Sequence, residues 1–177
     1  MTIEPDDPTL VAAAQAGDRR ALDTLLRRHY DLVHAVCRRI AGGSRDADDA
    51  AQEAMISIVR GLPRFDGRSA VSTWIYRIAT NAALDEVRRR QRRPGLAATR
   101  DDDRPEPEAV DPLGQRRVEG VVDRLDVDAA LGELPEEFRV AVVLRDVADL
   151  DYAEIAAVLD VPVGTVKSRI ARGRTQL

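Results

Sequence analysis

The sequence predicts an all-α protein: two small helical domains joined by a flexible acidic linker, the C-terminal domain being a helix-turn-helix. Three observations carry this prediction. Apolar residues are 44% of the 177, yet the aromatic ones are a single Trp, three Tyr and two Phe. Small side chains with few aromatics suit close-packed helices better than a β-sandwich. Apolar residues also recur at three- and four-residue steps over long stretches, and nowhere in the two-residue alternation of a strand. Finally, residues 94–114 hold four of the nine prolines and the run Asp101-Asp102-Asp103 without apolar periodicity, which is a linker composition.

Met1–Pro8 is acidic, with two prolines and neither a basic start nor an apolar stretch, so no signal peptide is expected. Gly17-Asp18 reads as a helix stop followed by an N-cap. After it Leu22, Leu25, Leu26, His29, Val33, Val36, Cys37 and Ile40 form the stripe of a long amphipathic helix ending at Gly42-Gly43. Ser44 can cap the next helix. Its stripe is Ala47, Ala50, Ala51, Ala54, Met55, Ile58 and Leu62, and Pro63 marks its end. Arg64–Ser69, with Asp66-Gly67, is a turn. A further helix points Val71, Trp74, Ile75, Ile78, Ala79 and Ala82 inward and stops at Pro94-Gly95. Helical signals resume near Asp123 with Leu125, Val127, Leu131 and Leu134. Pro135 suits a first helical position, with Phe138, Ala141, Val142 and Leu144 inward. The expected domains are residues 1–93 and 123–177, with 94–122 as linker.

Composition excludes several classes. The longest apolar runs, such as Val140–Leu144, are five residues, against about 20 for a membrane-spanning helix. The lone Cys37 cannot form an internal disulfide. A soluble, cytoplasmic protein is expected. The net charge of −4 argues against non-specific DNA or membrane binding by the whole chain. That average hides a segregation. Arg60–Arg93 has nine Arg against Asp66, Asp85 and Glu86; residues 94–137 have thirteen acids against five Arg; residues 164–177 have Lys167, Arg169, Arg172 and Arg174 and no acid. Asymmetry of this size concerns partners more than fold.

In the C-terminal block Asp151 and Glu154 form a capping-box pattern, and Tyr152, Ile155, Ala156 and Leu159 one apolar face. Asp160-Val161-Pro162 breaks the chain, and Val163, Val166 and Ile170 supply the inward face of a second short helix. This is a helix-turn-helix pattern. Thr165, Lys167, Ser168, Arg169 and Arg172 point away from that face, and such groups bond phosphates and guanine edges. A solvated basic hairpin is the alternative, disfavoured because no acid balances the cations.

In the N-terminal block Asp46, Asp48, Asp49, Gln52 and Glu53 crowd a helix start, where carboxylates complement the dipole. Asp49, Gln52 and Glu53 share a face, so a docking patch for a basic partner is a second reading. A magnesium site for diphosphate chemistry is a third, and it needs a further carboxylate cluster. Arg77, Asn81, Asp85 and Arg88 lie opposite Trp74 and Ile78, and five Arg crowd residues 88–93. These can hold phosphates and read a base edge, or form a solvated helix end. Trp74 is expected in the core, and Cys37 and His29 as packing residues. No nucleophile–base pair or metal cluster is assembled, so neither an enzyme nor a cofactor or metal is expected.

The stretch DADDAAQEAMISIVRGLPRF at Asp46–Phe65 resembles the core-polymerase-binding region of bacterial sigma factors. Thr73–Arg93, TWIYRIATNAALDEVRRRQRR, is similar to the minus-ten recognition helix of their extracytoplasmic-function (ECF) group in the sigma-70 family. Leu134–Leu177, with LPEEFRVAVVLRDV and LDYAEIAAVLDVPVGTVKSRIARGR, resembles their minus-thirty-five-binding domain. The resemblance implies a promoter-specificity subunit of RNA polymerase that docks on core enzyme, recognises both promoter elements and promotes melting. It assigns Asp49, Gln52 and Glu53 to the β′ coiled coil, with the β subunit a further contact. Phe65, Asp66, Arg68, Ser69 and Asn81 would build the pocket for a minus-ten base flipped from the non-template strand, with Arg77 and Arg88 near its phosphates. Thr165, Lys167, Ser168, Arg169 and Arg172 would enter the major groove at the minus-thirty-five element. It further implies an anti-sigma partner, and members that often continue a turn beyond the recognition helix. The competing reading is a free-standing dimeric helix-turn-helix regulator, which predicts a homodimer on a palindrome.

Overall fold

The computed structural model describes residues 5–42, 44–92 and 127–177. The linker over 94–122, the helix stop at Pro94-Gly95, the resumption near Asp123 and the capping side chain of Ser44 lie outside the described residues. Every regular element among the described residues is helical.

Helix α1, Asp7–Gln15, starts where the Asp6 carboxylate accepts from the Thr9 amide at 3.0 Å, and hydrogen bonding from the Thr9 side chain and then its amide lowers the pKa of this carboxyl. The chain turns through Gly17 at φ 97°. Asp18 then caps α2, Arg19–Ala41, accepting from the Arg20 and Ala21 amides. Leu25, Val33, Val36, Cys37 and Ile40 of α2 are fully buried, as the stripe predicts. Gly42 ends it in the left-handed conformation at φ 76°, which side chains with a Cβ rarely adopt.

In α3, Ser44–Gly61, the inward side is mostly alanine: Ala47, Ala50, Ala51 and Ala54, with Ile58. Small residues there let neighbouring backbones approach closely. Pro63 replaces the next α-helical turn with a 3-10 turn, Leu62–Arg64. Helix α4, Val71–Gln91, packs on both α2 and α3.

The second domain has a helical segment over 127–133 (α5), then α6, Glu136–Asp146, α7, Tyr152–Leu159, and α8, Val163–Gln176. Pro135 stands at the N-cap of α6, one residue before the position predicted for it. The α7 capping box is present in full: Asp151 accepts from the Glu154 amide, and Glu154 Oε2 from the Asp151 amide, both at 2.8 Å. Asp160 ends α7 at φ 53°, and Pro162 precedes α8. Gly173 of α8 sits where a Cβ would come within 2.6 Å of Val142 Cγ2, so the α6–α8 crossing needs its missing side chain.

Three expectations are corrected. Tyr152 and Val163, predicted inward, are 37% and 39% exposed. Each is the first residue of its helix, where a side chain leans back past the helix end. In α4, Trp74, Ile78 and Ala82 are only half-buried, while Thr73, Tyr76, Thr80, Ala83, Glu86 and Val87 are buried. The cause is tertiary. The two domains pack on one another, α4 against α7 and α2 against α6, so α4 is covered on more than one side. Helix α6 is contacted by α2, α7 and α8, and all of Phe138–Leu144 is buried, Arg139 included.

Polar bonds cross that junction beside apolar packing, since buried apolar residues of both domains form one cluster. Thr73 Oγ1 donates to Glu154 Oε1 at 3.1 Å, and Arg77 donates to the Ala157 carbonyl at 2.8 Å. Arg38 meets Asp128 at 2.9 Å, with Arg39 at 3.7 Å. Burial lowers the pKa of the Arg139 guanidinium, Glu136 opposes that shift and the neighbouring Arg90 adds to it.

Candidate nucleic-acid and partner interface

Three exposed surfaces carry the residues singled out from sequence. The first is the outer face of α3. Asp49, Gln52 and Glu53 are exposed there. Asp46 is bound to Arg90 at 3.1 Å and Asp48 to His34 at 2.8 Å. Those two carboxylates are thus engaged by cationic or imidazole neighbours rather than converging with Asp49 on a common point. The sequence reading missed what lies beyond: a shallow groove of about 270 Å³ lined by Met55, Ile56, Val59 and Arg60. Val59 is 39% exposed. The signal was present, since Ile56 and Val59 are apolar yet fall off the alanine stripe. An acidic helix start followed by an exposed apolar strip fits a helical partner with a basic end.

The second surface is the loop between the 3-10 turn and α4, with the neighbouring face of α4. Phe65 is half-buried, its ring 5.1 Å from that of Trp74. Trp74 is therefore a wall of this loop as much as a core residue. It lies so close to α3 that a Cβ on Gly61 would come within 2.9 Å of its ring. Asp66 folds the loop on itself, accepting from the Arg68 amide at 3.1 Å and pairing with the Arg68 guanidinium at 3.0 Å around Gly67 at φ 71°. Ser69 is half-buried. The root of the loop is held by a residue the sequence did not flag. Gln15, at the end of α1, donates to the carbonyls of both Leu62 and Phe65 at 2.9 Å. On α4, Arg77, Asn81 and Arg88 are exposed. Arg77 is bound to Ala157 and Arg88 to Asp85 at 3.2 Å, while Asn81 presents its amide to solvent one turn beyond Arg77.

The third surface is α8. Lys167, Ser168 and Arg172 are exposed, and Thr165 and Arg169 half-buried, on the side away from the buried Val166 and Ile170. Ser168 Oγ donates back to the Thr165 carbonyl at 2.9 Å. Lys167 lies 5.7 Å over the Tyr152 ring, which gives that exposed aromatic a cation–π partner. The expectation that no acid balances these cations is corrected: Glu137 of α6 pairs with Arg169 at 3.1 Å, and Asp146 with Arg174.

His29 and Cys37 are buried, as expected of packing residues, but His29 also bonds Asp7 at 2.8 Å and so anchors α1. Burial pushes the Cys37 thiol up to about 12. Tyr76 is likewise raised to about 12, by burial and by the Asp7 charge. Among the described residues no helix is long and apolar enough to cross a membrane.

By fold, the chain is an all-α, two-domain protein whose C-terminal domain is a helix-turn-helix with a basic outer face. The family models for Sigma-70 region 2 and Sigma-70, region 4 match residues 25–93 and 124–177. The sequence is 42% identical over 174 residues to the ECF RNA polymerase sigma factor SigM of Mycobacterium tuberculosis, covering 98% of this chain and 84% of that one. It is 37% identical over 182 residues to the ECF sigma-E factor of Escherichia coli, covering 98% and 93%. Its fold is similar to CnrH in complex with the cytosolic domain of CnrY, with a TM-score of 0.71 and 27% identity over 96% of this chain and 93% of that one. The chain belongs to the ECF sigma factors of the sigma-70 family. The competing dimeric regulator finds no support in these matches.

Proposed function

We propose that this chain is the promoter-specificity subunit of a bacterial RNA polymerase, acting in the cytoplasm, and that it does no covalent chemistry of its own. Residues 1–93 dock on core and read and melt the minus-ten element, residues 123–177 read the minus-thirty-five element, and residues 94–122 join them. The observation that carries the reading is the coupling of a region 2 match to a region 4 match in one chain, each with a separate exposed surface suited to nucleic acid.

Asp49, Gln52 and Glu53 dock on the β′ coiled coil, and the apolar strip of Ile56 and Val59 extends that contact. An anti-sigma protein would compete for the same surface. Phe65, Asp66, Arg68, Ser69 and Asn81 receive a base flipped out of the non-template strand. Extruding a base costs a few kcal/mol of stacking, which the pocket must offset. Arg77 and Arg88 hold the adjoining phosphates. Thr165, Lys167, Ser168, Arg169 and Arg172 of α8 read the major groove. Each surface makes few phosphate contacts, so each alone binds weakly at cellular salt. Docking on core holds both at promoter spacing and raises their effective concentration. In the packed arrangement one terminal nitrogen of Arg77 is engaged by the Ala157 carbonyl, and its remaining donors are left for a phosphate.

The test is run-off transcription with purified core polymerase on a promoter library. Transcripts that depend on this protein and share a bipartite motif are expected. Absence of transcripts with intact core binding would overturn the promoter-reading role. Asn81→Ala should weaken initiation and relax the minus-ten preference while core binding stays intact.

A further inference from the structure

We infer that Gln15 is a positioning residue for the minus-ten loop, which makes α1 part of the base-reading apparatus although it lies outside the matched region 2 segment. The inference rests on the reading that Phe65–Ser69 and Asn81 receive the flipped base.

The geometry is a two-point clamp. Gln15 Nε2 donates to Leu62 O and Phe65 O, both at 2.9 Å. The amide orientation is chemically determined, since its oxygen turned toward two carbonyls would meet only acceptors. Leu62 O already accepts from the Phe65 amide at 3.1 Å, closing the 3-10 turn. Phe65 itself leaves helical geometry, at φ −66° and ψ 122°. Its carbonyl therefore sets the direction in which the Asp66–Ala70 loop departs. Gln15 fixes that carbonyl relative to the last closed turn, at the residue where loop and helix part. On the other side of Phe65 its ring rests against Trp74. The loop is thereby held at its backbone by Gln15 and at its side chain by Trp74.

A clamp is only as firm as its mount. Leu10 and Val11 of α1 are buried against the core. Asp7, at the other end of α1, bonds His29 at 2.8 Å and Arg28 at 2.7 Å on α2. Thus α1 is pinned at one end by Asp7 and presents Gln15 at the other. A base pocket requires walls placed to within a fraction of an ångström, and supporting bonds of this kind provide that placement.

The test uses the full chain and three substitutions. Gln15→Glu keeps shape and removes the donors, placing a carboxylate before two carbonyls. Gln15→Ala removes the contact. Gln15→Lys restores a donor. Loop order is read without DNA or polymerase, from the emission of Trp74, the chain's only tryptophan, and from trypsin cleavage after Arg64 and Arg68. Function is read with core polymerase as the ratio of initiation on the preferred promoter to that on promoters substituted at each minus-ten base. Gln15→Glu should lower that ratio by roughly five- to tenfold, shift Trp74 emission and speed cleavage, with core binding unchanged and partial rescue by lysine. Unchanged selectivity in Gln15→Glu, with Asn81→Ala selectivity lost, would overturn the role of Gln15 alone. Unchanged selectivity in both would overturn the base-reading assignment, and this inference with it.

Discussion

Thr73 joins the two domains through one hydroxyl, and its removal separates their packing from everything else that Glu154 does. In Thr73→Val the side chain keeps its shape but cannot donate to Glu154 Oε1. Oε2 still accepts from the Asp151 amide, so the α7 capping box survives. A hydrogen bond to a charged acceptor contributes about 1.5–3 kcal/mol. Thr73 is only 3% exposed, but Glu154 is half-exposed and water can replace the donor, so the lower end, about 1.5–2 kcal/mol, is expected. Arg77→Ala removes the exposed bond to Ala157, for about 0.5–1 kcal/mol more. Both residues sit one turn apart on α4 and face the same helix, so their effects need not add. Together they should weaken domain packing about tenfold to a hundredfold, taking about 1.4 kcal/mol as a factor of ten. The Arg38–Asp128 pair, with side chains 43% and 19% exposed, adds about 1 kcal/mol or less to the packing of α2 on α6. The assay is a distance distribution between spin labels on cysteines replacing Arg60 and Arg172, the buried Cys37 remaining unlabelled. The double variant should show a longer, broader distribution, with each domain's helicity intact. A wild-type distribution would refute the claim that these bonds hold the domains together.

Other outcomes follow from single contacts. Asp151→Ala removes the α7 cap and should cost about 1 kcal/mol of second-domain stability, read by urea denaturation. Glu137→Gln frees Arg169 from an intramolecular carboxylate and should tighten minus-thirty-five DNA binding about two- to fivefold at low salt, an advantage lost as salt rises. Native Cys37 should react slowly with thiol reagents at mildly alkaline pH, with rapid reaction in denaturant. Its raised pKa also gives a sign: between about 9 and about 12 the unfolded thiol has lost its proton and the folded one has not. Stability from this group is therefore complete below pH 9 and falls as pH rises toward 12. Alkaline denaturation of Cys37→Ala against wild type measures the slope.

What was legible in the sequence were features set by local chemistry. Asp18, Gly42 and the Asp151–Glu154 box bound helices because capping needs only neighbours in the chain. The stripe of α2 was legible because one face of one long helix is buried. What escaped were consequences of the second domain's placement. Thr73 and Arg139 are polar residues that no helical stripe would assign to the interior, yet they are buried. The outward Ile56 and Val59 were visible as departures from the alanine stripe. Gln15 was not visible at all, since a glutamine at a helix end carries no pattern and its partners are backbone carbonyls 47 and 50 residues away.

The contrast between two kinds of polar contact says how such a molecule can hold itself closed and still respond. His29 is 7% exposed where it bonds Asp7, and the Glu86 side chain 10% exposed beside Arg89. Removing one partner there leaves a poorly solvated polar group, which is costly. The groups assigned to nucleic acid are held differently. Arg68 on Asp66, Arg77 on Ala157, Arg88 on Asp85 and Arg169 on Glu137 all make contacts at the surface. Exposed pairs of this kind contribute about 0–1 kcal/mol each and weaken with salt. Each can therefore exchange its intramolecular acceptor for a phosphate or base edge at little net cost. In the free protein carboxylates partly neutralise Arg68, Arg88 and Arg169, and on the function proposed above those arginines would exchange them for phosphates when promoter DNA binds. A chain whose recognition arginines were instead locked in buried pairs would have to disrupt its fold to read DNA.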